Sequence, residues 1–153
     1  MQKLLYCDPF VEILFEQPTG IIEIGWLPPS TYMCDDTCRK IFLTYAQLAE
    51  RYRPWACLVY SKGSMYIIPP EVRHWVARNI FPRTYQAGVR VLAVVASDDI
   101  FTQLAVEQML DENPFEDYHS RFFTSYEAAR AWLMHQPVSG RSSCFLTSES
   151  LPS

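Results

Sequence analysis

Lysine is scarce in this 153-residue chain, with only Lys3, Lys40 and Lys62. Basic character therefore comes mostly from arginine, whose planar fork suits fixed pairing with carboxylate or phosphate. The formal charge is −4 and the isoelectric point about 5.3. Such a balance argues against a dedicated nucleic-acid binder, because phosphate neutralisation needs a basic surface. A local basic patch stays open.

Long apolar runs are also missing. The longest clean one, Val91 to Ala96, falls far short of the roughly 20 residues that cross a bilayer. After Lys3 come only Leu4, Leu5 and Tyr6, so no hydrophobic region of signal-peptide length follows, and Cys7 lies too near the start for a lipoprotein site. The expected location is the cytoplasm. Cysteine is present as Cys7, Cys34, Cys38, Cys57 and Cys144, an odd number with no framework spacing, so reduced thiols are expected. Glycine-rich phosphate loops are lacking: Gly63 stands alone, and neither GxGxxG nor GxxxxGK[ST] occurs. Cys34 and Cys38 fall on adjacent turns of a helix, near enough to share a metal, yet no second cysteine or histidine pair completes a tetrahedral site. His74, His119 and His135 show no recurring ligand spacing. No cofactor and no metal are expected.

What is present is the pattern of one α/β domain. Phe10–Glu16 and Gly20–Leu27 read as strands around the turn-forming Gln17-Pro18-Thr19-Gly20, an N-terminal β-hairpin. Cys38, Ile41, Phe42, Tyr45, Leu48, Ala49 and Tyr52 then recur at helical spacing, predicting a helix over about 30–52 with Ser30 as its N-cap. Trp55–Tyr60 is apolar without alternation, as a strand covered on both faces would be. Pro69-Pro70 opens a second helix that buries Val72, Trp75, Val76, Ile80 and Phe81, with a kink expected at Pro82 and a left-handed cap at Gly88. Val89–Ala96 is the most strand-like segment, and Ser97-Asp98-Asp99 can cap the helix that follows it. Tyr118–Phe123 is a last strand, and Thr124-Ser125-Tyr126-Glu127 matches a capping box for a short terminal helix. The expected order is ββαβαβαβα, a mixed but mostly parallel sheet. It occupies a domain over 1–136, followed by a flexible serine-rich tail over 137–153.

Four stretches carry a likeness to a known family: Trp55–Tyr60; Pro69–Val76 with Phe81-Pro82-Arg83; Gly88–Val95; and Phe122–Leu133. In their order and spacing they resemble the SpoIIAA-like, or STAS, fold, and especially bacterial proteins described as STAS/SEC14 domain proteins. The resemblance covers most of residues 3–135. It implies a noncatalytic regulatory domain that binds another protein, in a family where a serine at the helix after the third strand is a phosphorylation switch. Ser61 and Ser64 occupy that region here, though Ser61-Lys62-Gly63-Ser64 replaces the Asp-Ser-Gly type of signature. A phosphate there would add about −1.5 to −2 charges. The SEC14 part of the likeness implies a lipid pocket, in a chain much shorter than lipid-transfer domains of that kind.

Arg73, Arg78, Arg83 and Arg90 gather on or after the second helix, while Asp98, Asp99, Glu107, Asp111, Glu112, Glu116 and Asp117 acidify the third. These are two solvated faces, or else a polar partner surface anchored by arginine. The expected contact region is the second helix with the 61–68 loop, and its candidate residues are Ser61, Ser64, Arg73, His74 and Arg78. The expected partner is another protein or a second copy of the chain. Two alternatives stay open. One is a small-ligand or lipid-binding module, with a pocket made by the loops after Tyr60 and Ala96 at the carboxyl ends of the parallel strands. The other is an enzyme using a thiol or histidine that meets a base in space. Trp26, with Tyr32 and Met33, is a candidate to line a cleft or dimer contact.

Overall fold

The computed structural model describes residues 2–137; residue 1 and the 138–153 part of the expected tail lie outside the described residues. Six strands form one sheet in sequential order: β1 (Gln2–Cys7), β2 (Val11–Glu16), β3 (Ile21–Trp26), β4 (Ala56–Tyr60), β5 (Val91–Val95) and β6 (His119–Phe123). The first three make an antiparallel meander, and β3 to β6 run parallel. Five helices connect or follow them: α1 (Asp35–Tyr52), α2 (Pro70–Asn79), α3 (Phe81–Gln86), α4 (Ile100–Asp111) and α5 (Tyr126–Met134).

Mixed α/β architecture and the mostly parallel sheet agree with the expectation from sequence, but the order of elements is corrected in two places. A strand precedes the hairpin: β1 pairs with β2 from Gln2↔Glu16 to Cys7↔Glu12, with an irregularity between Leu4 and Tyr6. The second helix is also two. Pro82 lies in the first turn of α3, where its missing N–H forfeits no helical bond, and Ile80 joins the two segments.

Some local signals held and others moved. Asp99 caps α4, its Oδ2 accepting from the Thr102 backbone N–H at 2.8 Å. Gly88 takes φ +114° just beyond α3, a conformation costly for residues with a Cβ. Ser30 does not cap α1. It sits in a 3-10 turn over Pro28–Tyr32, and α1 begins at Asp35 after Cys34. Two prolines close behind β3 hold that segment in a tight turn before the helix can start. The cap of α5 is Ser125 rather than Thr124, its hydroxyl accepting from the Ala128 N–H at 3.1 Å.

Neighbouring parallel strands joined by crossovers of one sense put α1 to α4 on the same face of the sheet. Their buried residues merge there with Ile22, Ile24, Cys57, Leu92 and Val94. The opposite face carries Ile21, Ala56, Leu58, Val91, Ala93 and Val95, covered by α5 through Ala129 and Leu133. Ala56, Ala93 and Ala129 are small, so α5 lies closer to the strands than any other helix does. On the first face Phe42, Tyr45, Tyr66, Phe81 and Met109 project from the helical layer and from the segment after β4. These long side chains hold the layer off the sheet.

Candidate functional site

The gap left by that separation is a cavity. Its volume is about 80 Å3, room for roughly five waters. Its floor is the sheet face at Ile24, Cys57, Val59, Leu92 and Val94, and its roof is α1, α4 and the segment after β4. Val59 belongs to a central strand and is covered by helices, yet it is only half-buried, because its side chain faces this space. Trp26 and Phe42 form one wall, with ring centroids 6.0 Å apart, and Phe81 and Tyr118 another at 6.3 Å.

Most lining polar groups are already committed to partners. The Tyr66 hydroxyl donates to Asp35 Oδ1 at 2.6 Å. Thr102 Oγ1 donates to the capping carboxylate of Asp99 at 2.9 Å. Tyr45 is bonded to Cys57 and Thr84, and burial pushes its hydroxyl well above the ordinary phenol range. Burial likewise pushes the Cys38 and Cys57 thiols up to about 12, so both are protonated and poorly nucleophilic at neutral pH. Tyr118 is raised too, chiefly by burial.

A serine cluster closes the carboxyl ends of the parallel strands. Ser30 Oγ and Ser64 Oγ lie 2.7 Å apart, and Ser97 Oγ donates to the Ser64 carbonyl at 2.7 Å. The Ser61 backbone N–H donates to the Val95 carbonyl at 3.0 Å, extending the ladder by one residue. Gly63, at φ +89°, supplies the reversal that brings Ser64 back toward Ser61. Met65 is tied to the 3-10 turn, its N–H donating to Thr31 Oγ1 at 2.9 Å. Around this end the side chains of Tyr32, Met65, Ile67, Ile100, Phe101 and Leu104 are exposed.

The five residues singled out from sequence do not converge. Ser61 and Ser64 are buried and line the cavity. Arg73 Nη1 donates to the Ile68 carbonyl at 2.6 Å, a local tie between α2 and the loop before it. His74 Nδ1 lies 2.7 Å from Glu112 Oε1 and links α2 to α4. Arg78 is exposed and makes no ion pair among the described residues. Arg83 makes a two-bond fork on Glu50 at 2.8 and 2.7 Å, and Arg90 stacks over the Tyr85 ring at 3.7 Å. Of the cleft candidates, Trp26 and Met33 line the cavity, whereas Tyr32 is 88% exposed. The tyrosines Tyr45, Tyr66 and Tyr118, together with Val59, went unrecognised in the sequence. Tyr45 and Val59 lie on faces that the sequence marks as buried, whereas Tyr66 falls in the 61–68 loop and Tyr118 at the start of the last strand, where no pattern marks them.

No group of three or more metal-ligating side chains occurs among the described residues. Among the same residues no helix is long and apolar enough to cross a membrane. No family model, curated protein or solved structure matches the chain.

Proposed function

We propose that this chain is a binding module for a small apolar molecule held between the sheet and the α1–α4 layer. The observation that carries the reading is the cavity itself, lined almost throughout by Ile, Val, Leu, Met, Phe and Tyr side chains. Natural cores are packed to crystal density with few voids larger than a water, and an apolar void forfeits contacts on every wall. A space of this size in the middle of the core is therefore costly unless something fills it. Its position beneath the loops after β4 and β5 is where open parallel sheets receive ligands. The α/β order from β3 onward is compatible with a STAS-like domain, and within this proposal that likeness concerns the scaffold.

Isothermal titration with benzene, a purely apolar molecule of six non-hydrogen atoms, tests the reading. Wild-type protein is expected to bind it with a negative heat-capacity change, the mark of apolar burial. Val59→Phe, which fills the space from the sheet side, is expected to abolish binding while raising stability by about 0.5–2 kcal/mol. Absence of any binding to the wild type would overturn the proposal.

A second reading, docking of a protein partner at the 61–68 loop, is favoured by the exposed Met65 and Ile67 beside Ile100, Phe101 and Leu104. Here the expected anchors are these apolar side chains rather than Ser61 and Ser64, which are buried. If the partner is a second copy, sedimentation equilibrium should show association that Phe101→Ser weakens.

A further inference from the structure

The chemistry of the lining restricts what the cavity can take, an inference that rests on the binding reading above. No Asp, Glu, Lys, Arg or His side chain lines the cavity. A carboxylate or phosphate inside it would be stripped of water with no cation to meet it, and burial of an uncompensated ion is far more costly than burial of a neutral polar group. Anionic lipids and fatty-acid anions are thus disfavoured by the walls themselves.

Neutral polar groups are treated differently. Among the lining hydroxyls, those of Ser64, Thr102, Tyr45 and Tyr66 already have partners. Ser61 is 6% exposed, and its hydroxyl makes no hydrogen bond among the described residues. In strand alternation Ser61 follows Cys57 and Val59 onto the helix-covered face, so its hydroxyl is presented to the cavity at its serine-capped end. Unlike the fully buried orphans Gln103 Oε1 and Asn113 Nδ2, Ser61 Oγ keeps some accessible surface. A reachable hydroxyl without a protein partner at the end of an apolar chamber is a ready contact for a ligand atom.

We propose that the cavity selects a small uncharged amphiphile, roughly five or six non-hydrogen atoms including one hydroxyl or carbonyl that bonds to Ser61 Oγ. Serine can donate to a carbonyl or accept from a hydroxyl, so alcohols, aldehydes and ketones all meet it. The phenol of Tyr118, which makes no hydrogen bond among the described residues, borders the cavity at the amino ends of the strands.

Titrations of the full chain with 1-pentanol, pentanoate and benzene at pH 7 test this. Pentanol is expected to bind at least about 100-fold more tightly than pentanoate. Ser61→Ala is expected to weaken pentanol about fivefold to tenfold and to leave benzene unchanged, which also confirms that the variant is folded. Pentanoate binding as tightly as pentanol would overturn the inference while leaving the apolar-ligand reading intact. Equal effects of Ser61→Ala on pentanol and benzene would do the same. Failure of all three to bind wild-type protein would remove both.

Discussion

The Tyr126 hydroxyl donates to Glu23 Oε2 at 2.5 Å, joining the first residue of α5 to the middle of β3 across more than a hundred residues of chain. Glu23 is 8% exposed on the sheet face that α5 covers, and its charged neighbour, Arg130 Nη1, stands 3.6 Å away. Burial, with this bond second, pushes the Tyr126 phenol up to about 12, so it remains a donor throughout the ordinary pH range. Tyr126→Phe removes the donor and leaves a buried carboxylate with one long ion pair. It is expected to destabilise the fold by about 1.5–3 kcal/mol, read from urea unfolding. An unchanged midpoint would show that water serves Glu23 equally well.

The same face confers an acid sensitivity. Glu16 accepts from Arg130 Nη2 at 2.5 Å and from Thr19 Oγ1 at 3.0 Å. The Arg130 hydrogen bond is the main cause that holds its carboxyl below the ordinary value of 4.5. With the folded-state value depressed, the stabilisation is complete above pH 4.5 and is lost as pH falls through the folded-state value. Wild type should therefore exceed Glu16→Gln in stability at pH 6, and the gap should shrink steadily toward pH 3. Parallel urea titrations at constant ionic strength measure it. A gap that is constant with pH would assign the effect of the substitution to packing.

Much of this architecture could be read from the residues, and the exceptions have physical causes. Strands β2 to β5 are flanked by turn residues and buried on at least one face, so β-branched runs mark them. Strand β1 escaped because it is a sheet edge: four of its six residues are exposed, and only pairing with β2 makes it a strand. The start of α1 was misplaced because Ser30 has the chemistry of a cap, while Pro28 and Pro29 fix a 3-10 turn there instead. In the candidate site, the position beneath the loops after β4 and β5 was legible from topology. The cavity was not, since its volume depends on how far bulky side chains such as Phe42, Tyr45 and Met109 hold α1 and α4 from the strands. Hydrophobic periodicity records which face is buried and is silent on how tightly that face packs. Ser61 and Ser64 look like loop serines for a related reason: what buries them is the return of the chain at Gly63 and the approach of Ser30 and Ser97 from elsewhere.

The thiols give the cavity a direct reporter. Cys34 is exposed, and its hydrogen bond with Thr37, Sγ to Oγ1 at 3.3 Å, lowers its pKa and favours the reactive thiolate. Cys38 and Cys57 line the cavity, with burial holding both up at about 12. Iodoacetamide at pH 7.5, followed by peptide mass spectrometry, should modify Cys34 promptly. Cys38 and Cys57 should be modified only at the rate at which the helical layer opens, slower by roughly 100-fold or more. Saturating 1-pentanol is expected to slow these two sites further, because a ligand that binds only the closed form shifts the equilibrium away from the open one, and to leave Cys34 unaffected. Labelling of Cys57 as fast as Cys34 would mean that the chamber admits a polar reagent freely, and a chamber so wet would not favour an apolar guest.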